Sequence, residues 1–304
     1  MLQMGTGRKK DNPKIIVIVG PTASGKSDLA VSLAKKFDGE IISADSRQVY
    51  KGMDIGTGKI KEEEMKGVPH YLLDVADPKE KFSVAKYKLL AEEKVEEIIN
   101  KKKLPIICGG TAFYVSAIAD GIIIPEVPPD WKLRKKLEEL KTEELFNKLK
   151  KIDIGRAKKI DEKNRRRLIR AIEIVDKTKK PVQKTRIEQK YNPLFIGIQI
   201  EKEKLYERIK RRLDQRLEEG MIDEVMTLNK SGVSWKILED FGLEYRWIAR
   251  YLQNKINYNE MYESLLTDIK KFSKRQMTWW KNDKRISWIK EYKEAEKLIK
   301  NNAF

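Results

Sequence analysis

KIIVIVGPTASGKSDLAVSLAKKF, residues 14–37, is the stretch that decides the fold. Lys14 to Val19 is a short, nearly unbroken run of β-branched apolar residues. That is the composition of a strand buried on both faces of a parallel sheet. GPTASGKS, 20–27, follows it and satisfies G-x-x-x-x-G-K-[ST]. DLAVSLAKKF, 28–37, then carries apolar residues at helical spacing. Strand, glycine loop and helix in this order bend Gly20, Pro21, Thr22, Ala23, Ser24, Gly25, Lys26 and Ser27 around a phosphate. Backbone N–H groups and the positive end of the helix face the anion. Lys26 adds a point charge, and the Ser27 hydroxyl can ligate Mg2+.

Outward from this unit the pattern repeats. EIISAD, 40–45, reads as a strand ending in a carboxylate, and HYLLDV, 70–75, as a possible third strand. Residues 86–102 have helical periodicity. LPIIC, 104–108, is a further strand closed by Gly109-Gly110-Thr111. Strands alternating with helices predict a parallel sheet covered on both faces. After Pro125, Pro128 and Pro129, residues 131–178 show only helical spacing. PLFIGIQI, 193–200, returns to the sheet style, and the chain beyond 201 reads helical. The expected architecture is α/β. A P-loop NTPase-like parallel-sheet core covers 1–119, a basic helical insertion 120–190, and core completion with a helical C-terminal part 191–304.

Composition narrows the function. The chain has 304 residues with 65 Lys and Arg against 47 Asp and Glu, net +18. The excess is uneven: residues 132–190 hold 22 basic and 10 acidic side chains. An evenly solvated lysine surface would not concentrate charge in this way, so a polyanion partner, nucleic acid foremost, is expected. One cysteine, Cys108, and one histidine, His70, exclude a disulfide framework and a structural zinc site. Cys108 is expected as a buried small hydrophobe and His70 in a core or hydrogen-bonding role. The N-terminus lacks an apolar signal region, and no apolar run is long enough to span a bilayer. A reducing, cytoplasmic compartment is therefore expected, with no membrane association and no obligate protein partner inferred.

Other P-loop users carry further parts. Neither an N-K-x-D guanine signature nor an apolar strand ending in Asp-Glu occurs here, so the bound phosphate is expected to be a leaving group rather than a bond to be hydrolysed. Asp45 and Thr111 both follow predicted strands, where ligands of open α/β sheets sit. Asp45 could be a general base, a Mg2+ ligand or a turn former. Thr111 could act beside it or simply open a helix.

The ordered set GPTASGKS (20–27), DSRQVYKGMDIGTGK (45–59), PHYLLDV (69–75), GGTAFY (109–114), NRRRLIRAIEI (164–174), LYERIKRRLDQRLEEGMIDEV (205–225) and KRQMTWW (274–280) resembles the tRNA dimethylallyltransferases, also called tRNA isopentenyltransferases, of the bacterial type. The resemblance covers nearly the whole chain. It implies transfer of a dimethylallyl group from dimethylallyl diphosphate to N6 of the adenine just 3′ of the anticodon, with Mg2+ present and without ATP hydrolysis. It implies that the P-loop, with Arg208 and Arg212 from the opposite side, holds the diphosphate, and that Ser27 holds the metal. Asp45 would be the general base with Thr111 orienting it. Asp45, Ser46, Arg47, Gln48 and Thr111 would meet the target nucleotide, and Arg134, Arg166, Arg167, Leu168, Ile169 and Arg170 the anticodon arm. Two segments depart from the family pattern. Gly242-Leu243-Glu244 stands where Gly-Tyr is usual, and Thr178-Lys179-Lys180-Pro181 where Thr-Gly-Lys-Pro is usual. Two other readings use the same loop: a nucleotide or small-molecule kinase with Arg208, Arg211 and Arg212 as a phosphate lid, and a nucleotide-gated RNA-binding module.

Overall fold

The computed structural model describes residues 12–125, 127–183 and 187–302. They form two compact units, one of residues up to 121 and from 189 onward, the other of 122–188. The insertion expected at 120–190 is two residues wider at each end.

In the larger unit the chain runs β1 (Lys14–Val19), α1 (Lys26–Lys36), β2 (Gly39–Ser43), α2 (Glu62–Met65), β3 (His70–Tyr71), α3 (Val84–Asn100), β4 (Leu104–Cys108) and α4 (Ala112–Ala119). The smaller unit holds α5 (Trp131–Glu139), α6 (Thr142–Ile152), α7 (Ile154–Ala157) and α8 (Arg165–Thr178). The larger unit resumes with β5 (Asn192–Ile198), α9 (Lys202–Glu218), α10 (Met221–Lys230), α11 (Trp235–Phe241), α12 (Leu243–Leu252), α13 (Tyr258–Trp280), β6 (Ser287–Ile289) and α14 (Tyr292–Asn301). Among the described residues the six strands are all parallel, in the order β3-β2-β4-β1-β5-β6.

β1 shows why its sequence is apolar throughout. Ile15, Val17 and Val19 point into one core with Ile42, Ile107, Phe195 and the helices α3, α9 and α13. Ile16 and Ile18 point into the other, with Leu29 and Leu33 of α1 and Ile299 of α14. Alternation across a central strand demands hydrophobes at every position when both faces are covered. Because the strands are parallel, the residues after β1, β2 and β4 all emerge at the same sheet edge.

Two expectations about strands are corrected. The third strand ends at Tyr71, because Leu72 and Asp74 take left-handed φ values of 63° and 57° that an extended run cannot hold. The region after 201 is not wholly helical: β6 is a three-residue edge strand pairing with β5. His70 is half-buried and donates from Nδ1 to the Val68 carbonyl at 2.8 Å, and Cys108 is buried. Among the described residues no helix is long and apolar enough to cross a membrane.

Candidate active site

The loop between β1 and α1 turns on left-handed residues: Gly20, Ala23 and Gly25 have φ of 150°, 62° and 93°. Gly25 caps α1 without a side-chain hydrogen bond, so the helix's first N–H groups remain available to an anion. The Ser24 hydroxyl is buried with no hydrogen-bond partner. Lys26 folds back so that Nζ donates to the Pro21 carbonyl at 2.6 Å. Burial lowers its pKa to about 8; the nearby Arg212 pushes the same way, while Cys108 and Asp45 oppose it. Burial pushes the Cys108 thiol up to about 12, so it stays protonated and inert.

The wall at the end of β2 is a compact turn. Asp45 Oδ1 accepts from the backbone N–H of Arg47 at 2.8 Å and of Gln48 at 3.4 Å. Asp45 is thus a turn former, and its carboxylate still lines the cavity. Thr111 sits one layer behind. Its hydroxyl accepts from the Ser46 N–H at 2.9 Å, and its own N–H donates to the Ala44 carbonyl at 3.1 Å. This approach needs Gly109, where a Cβ would lie 2.2 Å from the Ala44 carbonyl oxygen. Gln48 Nε2 donates to the Gly58 carbonyl at 3.2 Å, tying the turn to the 54–58 loop. Arg47 turns away: its Nε donates to the Phe241 carbonyl at 2.9 Å.

The facing wall is α9. Arg208 and Arg212 line the cavity, as do Arg211 and Arg216. Spacing of four places Arg208, Arg212 and Arg216 along one stripe. Burial, then the like charge of Arg216, brings Arg212 down to about 10. Arg216 is held by Glu244 at 3.5 Å and by the Gly56 carbonyl at 3.4 Å. Burial raises the pKa of Glu244 against the opposing pull of Arg216. Glu224, from the quoted LYERIKRRLDQRLEEGMIDEV segment, accepts from the N–H groups of Asp54, Ile55 and Gly56 at 2.8, 2.6 and 3.0 Å, and from the Tyr245 hydroxyl at 2.8 Å. This carboxylate fixes the 54–58 loop.

Together these parts enclose about 460 Å³. Lys26 and four arginines face Asp28, Asp45 and Glu64 there, so the cavity suits a multiply charged anion. Gly20 and Pro21 lie behind the loop, and Ser46, Arg47 and Thr111 support the wall without reaching the cavity. Three further lining residues have no role assigned in the sequence analysis. Gln276 lies in the quoted KRQMTWW segment, Arg216 continues the visible Arg208–Arg212 stripe, and Tyr292, whose hydroxyl donates to the Gly25 carbonyl at 2.9 Å, carries no local signal.

Within the smaller unit the candidate run 166–170 divides. Leu168 and Ile169 are 0% and 8% exposed and pack with Leu137, Leu145 and Leu149, so their side chains are core and not a contact surface. Glu173 is 1% exposed. Arg134 donates to it from Nε and Nη2 at 2.7 and 2.6 Å, and Arg170 from Nη1 at 2.5 Å. Burial would push Glu173 up, but these bonds outweigh it and hold the carboxyl below its ordinary value. Arg134 and Arg170 are therefore bound into this unit's own structure. Arg166 and Arg167 are exposed.

A glycine-rich loop on a parallel sheet, facing a carboxylate and an arginine stripe across one cavity, defines a P-loop-like α/β protein. The family model described as IPP transferase matches residues 48–283. The tRNA dimethylallyltransferase of Acetivibrio thermocellus is 45% identical over 298 residues, covering 94% of this chain and 95% of its own. That of Thermoanaerobacter sp. is 42% identical over 301 residues, covering 95% and 96%. A tRNA isopentenylpyrophosphate transferase from Bacillus halodurans superposes with a TM-score of 0.72 at 38% identity, covering 95% of each chain. A eukaryotic dimethylallyltransferase whose crystal structures describe it acting on tRNA superposes with a TM-score of 0.79 at 27% identity, covering 96% of this chain and 77% of that one. The chain belongs to the IPP transferase family, a family of prenyl-transferring enzymes.

Proposed function

We propose that the chain transfers a dimethylallyl group from dimethylallyl diphosphate to N6 of the adenine on the 3′ side of the anticodon of tRNA, in the cytoplasm, and releases diphosphate. Family membership supports the reaction class. The observation that carries it to this chain is one cavity with the phosphate loop, the arginine stripe and the Asp45 carboxylate on its walls.

An exocyclic aromatic amine is a weak nucleophile, because its lone pair is delocalised into the ring. In the proposed step N6 forms a bond to the allylic carbon and its proton passes to Asp45. The carbon–oxygen bond breaks, and its electron pair leaves with diphosphate. Asp45 Oδ1 is occupied by the turn, so Oδ2 takes the proton. Thr111, through Ser46, holds that turn in place. Lys26, Arg208, Arg212, the loop N–H groups and the unpartnered Ser24 hydroxyl neutralise the leaving group. The acceptor base must leave its stack to reach such a cavity, where Gln48, which lines the wall, would meet it.

Mg2+ fits the donor set. Ser27 in the first turn of α1 lines the cavity with Asp28 and Asp45, and Mg2+ on a phosphate chain needs only one or two protein oxygens. When bound it would add positive charge to the diphosphate, with the Ser27 hydroxyl holding it. Arg166 and Arg167, exposed on α8, would meet the phosphates of the anticodon arm. Incubating the protein with dimethylallyl diphosphate, Mg2+ and unmodified tRNA, then digesting to nucleosides for mass analysis, tests the reading. One prenylated adenosine per tRNA is expected, and unmodified adenosine throughout would refute it.

A further inference from the structure

Gln276 of α13 joins two loops that the chemistry must keep in register. Its Oε1 accepts from the Thr22 N–H at 2.8 Å, inside the phosphate loop. Its Nε2 donates to the Gly110 carbonyl at 3.0 Å, next to Thr111. The amide orientation follows from the partners, since a flipped carboxamide would set donor against donor and acceptor against acceptor. The side chain is 6% exposed and lies on the cavity wall. A Cβ at Gly110 would come within 2.2 Å of Nε2, so the missing side chain at Gly110 is what admits the glutamine. Thr111 in turn holds the Asp45 turn through Ser46. One buried carboxamide thus connects the donor cradle after β1 with the acceptor wall after β2 and β4.

Resting on the function proposed above, we infer that Gln276 is a positioning residue that sets the distance between the donor diphosphate and the Asp45 wall. Each loop also has its own anchors: Lys26 and Tyr292 brace the phosphate loop, and Ala44 and Ser46 brace Thr111. Losing the bridge therefore leaves both binding surfaces formed but free to shift against each other. Transfer chemistry is far more sensitive to such a shift than binding is. A displacement of about 1 Å costs on the order of 10²-fold in rate.

Full-length Gln276→Met keeps length and apolar shape without the bridge, and Gln276→Glu keeps only the acceptor for Thr22. Gly110→Ala displaces the glutamine from the other side. For each, thermal unfolding, binding of dimethylallyl diphosphate, binding of unmodified tRNA and the single-turnover transfer rate are measured. Both affinities should stay within about threefold of wild type, while the transfer rate of Gln276→Met and of Gly110→Ala falls on the order of 10²-fold. The Gln276→Glu rate, divided by the wild-type rate at each pH, should rise on acidification, because a protonated carboxyl can again donate to the Gly110 carbonyl. Unchanged rates in folded variants, or rate losses fully matched by lost donor affinity, would overturn the positioning role. A wild type that transfers nothing would instead overturn the reaction on which the role depends.

Discussion

Lys26 should make donor binding depend on pH in a defined direction. Its pKa in the free protein is lowered to about 8 by burial, with Arg212 adding to the fall. At that value the amine is about nine-tenths charged at pH 7 and about one-tenth at pH 9. A diphosphate against Nζ favours the charged form and returns the group toward or beyond its ordinary 10.5. The ligand-bound state then holds more protons than the free state above pH 8, so affinity must fall as pH rises. Between pH 7 and 9 the loss should be about tenfold, with nearly one proton taken up per binding event at pH 9. Arg212, at about 10, stays charged over most of this range. Dimethylallyl diphosphate is the right probe, because its own last ionisation falls near the lower edge of the window and adds negative charge as pH rises, an effect opposite in sign to the predicted loss. Calorimetric titration in buffers of different ionisation enthalpy reads the affinity and the proton count together. Lys26→Met should bind more weakly with a flat profile. A flat wild-type profile, or an unchanged slope in Lys26→Met, would refute the placement of Lys26 against the diphosphate.

Three further outcomes are expected. Asp45→Asn should keep donor and tRNA affinities near wild type and slow single-turnover transfer by about 10²–10⁴-fold; a near-normal rate would remove the general base. Neutralising Arg166 and Arg167 together should weaken tRNA binding and reduce the log–log salt slope by roughly 0.7–0.9 per lost phosphate contact, with donor affinity unaltered; identical slopes would leave the exposed arginines without a role. Arg134→Ala should lower stability by about 1–3 kcal/mol, because buried Glu173 keeps Arg170 and the Asp130 N–H but loses its two-bond partner; an unchanged denaturation midpoint would contradict the structural reading of that pair.

What could be seen from sequence was what is local. The P-loop declares itself within 24 residues, because strand, turn and helix each leave their own periodicity. Asp45 and Thr111 were visible as residues that follow strands of a parallel sheet, and Arg208 and Arg212 as neighbours on one helix face. The division of the arginines in 166–170 was not visible. Which member of a basic run pairs inward depends on Glu173 three residues beyond Arg170 and on Arg134 from a separate helix. β6 was missed because three residues, Ser287 to Ile289, are too few to show alternation. Gln276 carried no hint of its partners, since 254 residues separate it from Thr22. Glu224 was likewise one carboxylate among many until the N–H groups of the 54–58 loop converged on it.

The most direct test of the central claim offers the protein two chemistries at once. Dimethylallyl diphosphate, ATP, Mg2+ and unmodified tRNA are mixed with it, alongside a tRNA carrying guanine in place of the adenine 3′ of the anticodon. The account predicts one diphosphate released per prenylated adenosine, no product on the guanine-substituted tRNA and no phosphate moved from ATP. Phosphate transfer from ATP with the adenine left unmodified would contradict it.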